Sequence, residues 1–564
     1  MSVLAPPAGE PGPHTLGRWT RDRARLTPHK VAVDERGTTL TYAELDARAL
    51  ALAERLLRAG YVRGDRVATL TRNSADHVVL FFACAKAGLV LTPMSWRLAA
   101  EELAYQLRHA RPALVLVQAA LAGAARAALA HLDAAPPVEL LGPDGVELHV
   151  PGPARTDGAA PEPHRAVADD DPLLLVYTSG TARAPKGVLL THANCFWTNL
   201  SLSGGTGMTS QDVVLSVLPQ FHVGGWNIQP LLAWWTGATV LLEPELDAAR
   251  MLELLADRGV TTMMGVPTVY QLLADHPGFD GTDLSSLTHA VVGGAPMPEA
   301  LLHRWRARGV RIIQGYGLTE ASPNVLALPP GDAPSRIGWV GKPYPHVDVA
   351  VADPATGALL HGPAQGELLV RGPAVFAGYF RDPEATAAAV VDGWLRTGDL
   401  VERDAEGYFR VVDRLDDMYI SGGENISPAE VEQALGCHPG VAEVAVVGVP
   451  DRRWGQVGHA FVVRAPGSAV SEEELMEHCR TRLAAFKAPR SVGFVDRLPR
   501  TALHKVQRGA LPPVDGAAPA DAPRADDGAA AFDGPATFDG AAVPVEATAV
   551  AAPRAVAGDT GVPR

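Results

Sequence analysis

Apolar residues follow two different periods along the first 330 residues. Short runs such as Arg66–Leu70 and Leu173–Val176 have the length and composition of buried strands. Other apolar residues recur at helical spacing, as in Leu45, Ala49, Leu52 and Leu56. Because strands and helices alternate at intervals of roughly 15–25 residues, we predict an α/β fold with mostly parallel sheets.

The pattern changes after residue 335. Short strands such as Val347–Val351 and Gly366–Arg371 then alternate with Gly/Pro turns, which predicts a small β-rich subdomain. Beyond residue 416 the order of elements predicts an α+β domain: helix Pro428–Leu435, strand Val441–Val449, strand His459–Val463 and helix Ser471–Leu483. The predicted organisation is therefore a large N-terminal domain (17–415), with parallel or mixed sheets flanked by helices, followed by a small C-terminal domain (416–510).

Both ends of the chain have a composition typical of disordered segments. Residues 1–16 are rich in Pro and Gly, and residues 511–564 consist mainly of Ala, Pro, Gly, Asp and Val without a sustained apolar period. We therefore predict a disordered lead-in and a disordered tail. A docking role for the tail is an alternative that the sequence does not favour.

Length, composition and net charge exclude some classes of function. With 564 residues the chain exceeds the size of one hydrophobic core, and 47% apolar residues allow a large one. The net charge of −14 argues against nonspecific nucleic-acid binding and against a polybasic membrane anchor. It does not exclude an anionic substrate, because a pocket can be locally positive.

Cysteines and apolar runs indicate the compartment. The four cysteines stand far apart without a CxxC pair, which argues against a zinc knuckle or a disulfide scaffold and fits a reducing cytoplasm. We find neither a membrane-spanning run nor the basic start and apolar core of a signal peptide. The abundance of Ala, Gly, Pro and Arg is typical of a GC-rich bacterial source.

Five segments carry residues suited to chemistry. Tyr177–Val188 follows a strand-like run and combines hydroxyls, glycines and a Lys, as an anion-binding loop requires. It is not a Walker loop, because Pro185 stands where the second Gly belongs. Gln314–Glu320 could stack a base on Tyr316, contact a phosphate and hold Mg²⁺ through its carboxylate. Taken alone, the first segment is equally compatible with a surface turn and the second with a turn around a buried Tyr.

The remaining three segments lie further along the chain. Trp394–Asp399, with Arg414 beyond it, could accept hydrogen bonds from ribose hydroxyls, although a satisfied turn Asp is equally compatible. Asp413–Asn425 and Pro499–Arg508 follow, and Lys505 in the last would on its own be an ordinary solvated charge.

Together these segments resemble one family. Their order and spacing along residues 26–510, with the further motifs Leu40–Leu45, Gly293–Met297 and Gly378–Phe380, are similar to those of the AMP-forming adenylating enzymes. That superfamily includes acyl- and aryl-CoA synthetases, luciferases and the adenylation domains of peptide synthetases. The resemblance is closest to the fatty-acid and other acyl-CoA ligases, which use ATP, Mg²⁺ and CoA and contain a small mobile C-terminal domain.

The resemblance implies a role for each matching residue. A loop around the ATP β- and γ-phosphates would comprise Thr178, Ser179, Gly180, Thr181, Lys186 and Gly187. The adenine would lie against Gly294, Ala295 and Pro296, with Tyr316 stacking on it and Gly317 beside it. Thr319 would contact the α-phosphate, and Glu320 would hold Mg²⁺. The ribose would bind Asp399 and Arg414.

Further implied roles concern the acid and the thiol. Lys505 would contact both the carboxylate and the α-phosphate, His222 would gate the acyl or thiol tunnel, and Asp416 would be the hinge. Gly422 and Gly423 would border the pantetheine channel. The implied reaction joins a carboxylate to AMP with release of pyrophosphate, and transfer to CoA then follows a rotation of the small domain.

The sequence partly indicates which acid is the substrate. Amino-acid-activating relatives carry an Asp after the Phe that here precedes His222, so an α-amino acid is not expected and a fatty or aryl acid fits best. Small residues near the expected acyl pocket are Gly224, Gly225, Gly293, Gly294 and Gly315. The apolar candidates for its walls are Val223, Trp226, Met263 and Met264, although such Met pairs more often fill a core.

Three positions depart from the family pattern. Ala182 and Arg183 replace a Thr and a Gly of the phosphate loop, which removes a hydroxyl donor and adds a bidentate phosphate donor at Arg183. His504 replaces the Gly that commonly precedes the catalytic Lys. None of these changes touches Glu320 or Lys505.

Three functions remain open. The first is a CoA ligase for a fatty or aryl acid. The second is a secondary-metabolism adenylating enzyme with an unusual acid, such as nitrite, or with a carrier-protein or amine acceptor. The third is a non-catalytic nucleotide- or acyl-binding homologue. For all three we expect neither a nucleic-acid partner nor a membrane span, and the oligomeric state stays open, a homodimer included.

Overall fold

The structure is a computed structural model. It describes residues 12–142, 166–178, 185–295, 297–333, 335–415, 417–421, 424–451, 455–483, 487–500 and 506–514. Contacts divide the chain into residues 1–518 and residues 519–564. Every described residue belongs to the first unit, and the description below concerns that unit alone.

The elements alternate as the sequence pattern predicts. Up to residue 242 the strands are β1 Val31–Glu35, β2 Thr38–Thr41, β3 Arg66–Leu70, β4 Val90–Met94, β5 Leu114–Gln118, β6 Val138–Leu141, β7 Pro172–Thr178, β8 Lys186–Thr191, β9 Val213–Ser216 and β10 Thr239–Leu242. From there to residue 391 they are β11 Thr262–Gly265, β12 His289–Val292, β13 Ile312–Gly317, β14 Asn324–Ala327, β15 Lys342–Pro343, β16 Asp348–Ala352, β17 Leu359–Leu360, β18 Ala364–Arg371, β19 Gly378–Tyr379 and β20 Val390–Val391. The last are β21 Trp394–Arg403, β22 Phe409–Arg414, β23 Tyr419–Ser421, β24 Glu424–Ile426, β25 Val441–Asp451, β26 Gly455–Arg464 and β27 Ser491–Phe494.

The helices fall between these strands. The first seven are α1 Gly17–Leu26, α2 Tyr42–Arg58, α3 Ala75–Ala87, α4 Ala100–Ala110, α5 Ala122–Leu129, α6 His192–Thr206 and α7 Gly224–Asn227. The rest are α8 Pro230–Thr236, α9 Ala248–Asp257, α10 Pro267–Asp275, α11 Glu299–Ala307, α12 Pro383–Ala389, α13 Pro428–Gly436 and α14 Glu472–Arg480. Within the described ranges, no helix has the length and apolar content needed to cross a bilayer.

Two large sheets form the body of the fold. The first has the order β15-β14-β13-β12-β11-β9-β10-β1-β2, and its strands from β13 to β1 run parallel. The second has the order β19-β8-β7-β4-β3-β5-β6 and is parallel from β7 to β6. The inner strands are almost continuously buried, as parallel strands covered on both faces are.

Two smaller sheets follow. One is antiparallel, with the order β17-β16-β18-β21-β20 and with β22 paired to β21. The other has the order β24-β23-β26-β25, with β27 added parallel to β26 and helices α13 and α14 packed beside it. The predicted fold class is confirmed: mixed α/β sheets with helices, a β-rich part and an α+β part.

Local signals explain where helices begin and which face they bury. Helix α2 begins with a capping box between Thr41 and Glu44, and it buries its predicted stripe of Leu45, Ala49, Leu52 and Leu56. Ser74 caps α3, and Gly88 ends that helix in the left-handed conformation that Gly tolerates best.

The predicted disordered ends are too long. Helix α1 was not predicted, and residues 12–16 ahead of it are packed against the body of the fold. The Gly12 N–H donates to the Val167 carbonyl, the Leu16 N–H donates to His192, and Leu16 is fully buried. At the other end, Leu511 and Val514 pack on a cluster around Phe461. Both corrections depend on contacts distant in sequence, which composition does not reveal.

Candidate active site

The carboxyl ends of four parallel strands meet at one edge of the first sheet. The loop after β9 carries His222, Gly265 ends β11, Gly293 follows β12, and Tyr316 lies at the end of β13. Ligands of open α/β sheets bind outside the carboxyl ends of the strands. The fold therefore brings together segments that lie about a hundred residues apart in the chain.

One end of this site is built around Asp399. The Tyr316 hydroxyl donates to Asp399 Oδ2 at 2.5 Å, and Arg414 Nη1 lies 3.5 Å from Oδ1. Asp399 and Arg414 face each other across β21 and β22. Burial, reinforced by the nearby carboxylate, raises the pKa of Tyr316, so its hydroxyl remains a donor. Asp399 is thus a fixed carboxylate suited to accept from the hydroxyls of a sugar.

The turn after β13 carries Thr319 and Glu320. A Cβ atom at Gly317 would lie 1.6 Å from the Pro323 carbonyl oxygen, so only glycine permits this close approach. The turn that follows is a short 3₁₀ helix, Thr319–Ala321, whose Glu320 carbonyl accepts from the Phe376 N–H. The glycine predicted from sequence is therefore required by the path of the backbone.

The opposite end of the site is the hairpin of β7 and β8. Thr178 is paired with Lys186 at the end of the hairpin next to residues 179–185, and the Gly187 carbonyl accepts from the Phe380 N–H. The Lys186 ammonium lies 4.6 Å from the ring centroid of Tyr379. The other predicted loop residues lie outside the described ranges: Ser179, Gly180, Thr181, Ala182 and Arg183.

Tyr379 is a candidate site residue that the sequence reasoning missed. Its hydroxyl donates to Glu320 Oε1 at 2.9 Å while its ring faces Lys186. The motif Gly378–Phe380 was noted as part of the family pattern, but a single Tyr in it gave no sign of a role. Its position next to both charged groups arises only from the pairing of β19 with β8.

The carboxylate set fits a weakly ligated Mg²⁺. Among the residues that the structure describes, no group of three or more His, Cys, Asp or Glu side chains could hold a metal ion. A single carboxylate such as that of Glu320 matches the way Mg²⁺ is bound in nucleotide sites, through one or two carboxylates plus substrate phosphates. When bound, the ion would neutralise charge on those phosphates.

An apolar cluster lies beside the ends of β11, β12 and β13. We call it the Met264 cluster, and its members are Met264, Val291, Ile313, Leu218 and Ile228. A Cβ atom at Gly293 would meet Met264 Cε at 3.1 Å, and one at Gly224 would meet Leu218 and Ile228 at 3.4 Å. Two of the predicted pocket glycines therefore border this cluster.

Four other predicted pocket residues lie elsewhere. Met263 belongs to a separate buried core, because neighbouring residues of a strand point to opposite faces. Val223 and Trp226 belong to the main core, and the Trp226 ring stacks on Phe81 at 4.6 Å. Gly225 is needed where its backbone approaches the Pro219 carbonyl. These four residues therefore do not contact the Met264 cluster, and their place in an acyl pocket stays a prediction.

The loop that carries His222 lies between the Met264 cluster, which includes Leu218, and an aromatic–cationic surface beside Phe221. The His222 ring is 4.4 Å from the Phe221 ring. Trp96, edge-on to Phe221, has the guanidinium groups of Arg72 and Arg97 at 5.1 and 5.0 Å from its ring centroid. The loop predicted to gate a tunnel is thus flanked by apolar side chains on one side and by two cations on the other.

The residues on either side of 501–505 are firmly held. Arg500 and Val506 form an antiparallel bridge, and the Gln507 N–H donates to the Pro499 carbonyl. Arg508 donates to Glu432 at 2.7 Å and to Asp417 at 3.3 Å. Several predicted residues lie outside the described ranges: Pro296, Asp416, Gly422, Gly423, His504 and Lys505.

Comparison with known proteins gives consistent matches over most of the chain. The sequence profile of the AMP-binding enzyme family matches residues 20–380, and that of the AMP-binding enzyme C-terminal domain matches residues 430–505. A feruloyl-CoA synthase from an Amycolatopsis species is 43% identical over 88% of this chain and 98% of its own length. An indoleacetate–CoA ligase from Aromatoleum aromaticum is 37% identical over 87% of this chain and 96% of its own.

Comparison with solved structures also gives matches over most of the chain. ATP-bound MatB from Rhodopseudomonas palustris matches with a TM-score of 0.79 and 34% identity, over 88% of this chain and 97% of that one. The o-succinylbenzoate-CoA synthetase MenE from Bacillus subtilis, in complex with ATP and magnesium, matches with a TM-score of 0.77 and 32% identity, over 88% and 99% of the two chains.

Proposed function

The chain belongs to the AMP-binding enzyme family, and from that premise we propose that it activates an aromatic carboxylic acid with ATP and transfers the acyl group to CoA. The family membership confirms the resemblance that the sequence motifs indicated. It also confirms the predicted class of reaction, acyl-AMP formation followed by thioester formation, with ATP, Mg²⁺ and CoA. The identity of the acid and the role of each residue are the proposal.

The observation that carries the proposal is the placement of two sets of charged residues around the end of β13: Asp399 and Arg414 beside Tyr316, and Lys186 beside the Tyr379 that contacts Glu320. Asp399, held by Tyr316 and Arg414, would accept from the ribose, while Lys186 would contact the distal phosphates and Glu320 the metal. An adenosine and a triphosphate bound in this way bring the α-phosphate near Thr319. Fixed donors and cations at that point stabilise the charge that develops as the carboxylate attacks.

The second half-reaction requires different groups at the same place. We propose that residues 17–415 and 416–510 act as two domains, that Asp416 is their hinge, and that Lys505 serves only the first half-reaction. Gly422 and Gly423 would then border the thiol channel. The contacts of Arg500, Val506 and Arg508, which flank Lys505 in the sequence, support this, because they tie that part of the chain to the small domain that would deliver and withdraw the lysine.

An aromatic acid is favoured by the Met264 cluster. Its five side chains are apolar, and Met264 closes against Gly293. The carboxylate would point to Lys505 while the ring lies against this cluster, with His222 at the entrance. The names of the relatives at 43% and 37% identity, feruloyl-CoA synthase and indoleacetate–CoA ligase, support an acid with a ring.

CoA is favoured over a carrier protein by the two guanidinium groups on Trp96. They flank the gate loop and suit a phosphate of the CoA nucleotide. A carrier protein remains a second candidate, because a fatty acid–[acyl-carrier-protein] ligase from Streptomyces coeruleorubidus is 36% identical to this chain.

We place the enzyme in the cytoplasm, which its four free thiols support.

The test is pyrophosphate release over a panel of acids, with and without CoA. Ferulate, cinnamate, indole-3-acetate and benzoate should exceed octanoate and palmitate in kcat/KM, and CoA should yield the thioester. Arg97→Ala should raise the KM for CoA but leave that for pantetheine, which lacks the nucleotide. Preference for palmitate would contradict the aromatic proposal, and equal KM changes for both thiols would contradict the assigned phosphate contact.

A further inference from the structure

Tyr379 touches the two charged side chains that face each other across the phosphate end of the site. Its hydroxyl donates to Glu320 Oε1 at 2.9 Å, and its ring centroid lies 4.6 Å from Lys186 Nζ. An ammonium at that distance from an aromatic face is attracted by the ring quadrupole. One side chain therefore orients both the carboxylate and the cation.

The backbone fixes this side chain from both directions. Tyr379 pairs with Val188 where β19 runs antiparallel to β8, the strand that begins with Lys186. Its own N–H donates to Thr386 Oγ1 at 2.9 Å, which ties β19 to helix α12. The backbone at Tyr379 is therefore held independently of the groups that the phenol contacts.

The Tyr379 hydroxyl serves Glu320 Oε1 as a hydrogen-bond donor. A carboxylate that accepts through Oε1 still has Oε2 for another partner. Partners of this kind orient metal ligands, and their loss typically weakens metal binding 10–100-fold.

We propose that Tyr379 is a positioning residue that holds Glu320 in the orientation that receives Mg²⁺ and keeps the Lys186 ammonium beside it. The proposal rests on the proposed function only in that Glu320 and Lys186 serve a metal–nucleotide complex. Its two contacts make two separate predictions, because the hydroxyl and the ring can be removed one at a time.

The experiment measures binding without catalysis. Binding of Mn²⁺ to the enzyme–ATP complex is followed by electron paramagnetic resonance with no acid present, and ATP binding without metal is followed by calorimetry. Tyr379→Phe should bind Mn²⁺ about 10–100-fold more weakly and bind metal-free ATP as the wild type does. Tyr379→Leu should lose affinity for metal-free ATP as well, because Lys186 loses its ring.

Two further variants serve as controls. Tyr408→Phe removes a Tyr–Asp hydrogen bond of the same kind, the one to Asp332 at 2.6 Å, and should bind Mn²⁺ like the wild type. Glu320→Gln combined with Tyr379→Phe should bind Mn²⁺ no more weakly than Glu320→Gln alone, because the hydroxyl acts through Glu320.

Two results would overturn the inference: unchanged Mn²⁺ binding by a folded Tyr379→Phe variant, or strictly additive losses in the double variant. A wild-type protein that binds Mn²⁺ and ATP but activates no acid would contradict the proposed function instead. The two failures are therefore separable.

Discussion

Replacing Arg508 with alanine should lower the free energy of unfolding of the small C-terminal part. It should also slow the first half-reaction. The guanidinium donates to Glu432 at 2.7 Å, and to Asp417 and the Val446 carbonyl at 3.3 Å each. The three side chains are only 25%, 20% and 19% exposed, for Arg508, Glu432 and Asp417. Arg508→Ala therefore leaves two mostly buried carboxylates without their shared cation.

The magnitude follows from these contacts. A hydrogen bond to a charged group contributes about 1.5–3 kcal/mol, and breaking a fully buried ion pair costs about 3–5 kcal/mol. Because this group is partly exposed and two of its contacts are long, we expect a loss of about 2–3 kcal/mol at pH 7 after allowing for screening.

The loss should depend on pH. Burial raises the pKa of Glu432 even with Arg508 present. Removing the cation raises the pKa of Glu432 in the folded protein further, while its pKa in the unfolded chain stays at about 4.3. A carboxyl whose pKa is higher in the folded state contributes stability below the unfolded pKa, and that contribution is lost as pH rises through the folded pKa. Arg508→Ala should therefore cost less stability at pH 5 than at pH 8.

The assay is urea unfolding at both pH values, combined with the two half-reactions measured separately. Arg480→Ala is the matched control, since Arg480 pairs with Glu477 on the same small part but is 50% exposed. It should change stability by less than about 0.5 kcal/mol. Acyl-adenylate formation by Arg508→Ala should fall about tenfold or more, because a misplacement of about 1 Å can cost 10²-fold, and thioester formation from supplied acyl-adenylate should fall less. A variant no less stable than Arg480→Ala, or equally destabilised at both pH values, would refute the reasoning.

Three further predictions test other parts of the molecule. Lys505→Ala should reduce acyl-adenylate formation by about 10²–10³ and spare thioester formation from supplied acyl-adenylate; equal loss of both half-reactions in the folded variant would contradict domain alternation. A chain ending at Val514 should melt and adenylate like the full chain, whereas one ending at Ala510 should melt lower in calorimetry because Leu511 and Val514 leave the Phe461 cluster; identical melting would show that this packing is unimportant. Gly293→Ala should raise the KM for the acid about tenfold, the effect of about 1.4 kcal/mol, but not that for ATP, because its Cβ would meet Met264 at 3.1 Å; an unchanged acid KM in initial-rate kinetics would place the acid elsewhere.

The strands of the sheets were predicted well from the sequence because their hydrophobic pattern is simple. A strand buried on both faces is a continuous apolar run, so Arg66–Leu70 was located to the residue. Motif order then predicted which loops matter, and the parallel topology explains why those loops converge. These features depend on local composition and on the direction of neighbouring strands, and both can be read from the chain.

The remaining features depend on contacts between distant segments. Met263 and Met264 are chemically identical neighbours, and only the register of β11 decides which of them faces the Met264 cluster. Tyr379 acquires its position from a two-residue strand paired with β8, about 190 residues earlier in the chain. No periodicity exists in so short an element, so its role could not be predicted.

The position that we propose for the hinge is supported by the contacts of the residues on either side of it. The Leu415 N–H donates to the Gly398 carbonyl, and Arg414 pairs with Asp399, so both belong with the ribose end of the site. Asp417 pairs with Arg508 and thereby belongs with the loop 501–505. In the proposed mechanism the AMP moiety stays bound through both half-reactions, while Lys505 is needed only in the first. A pivot between Leu415 and Asp417 satisfies both requirements, because rotation there moves the lysine without disturbing Asp399, and Asp416 is the one residue in that interval.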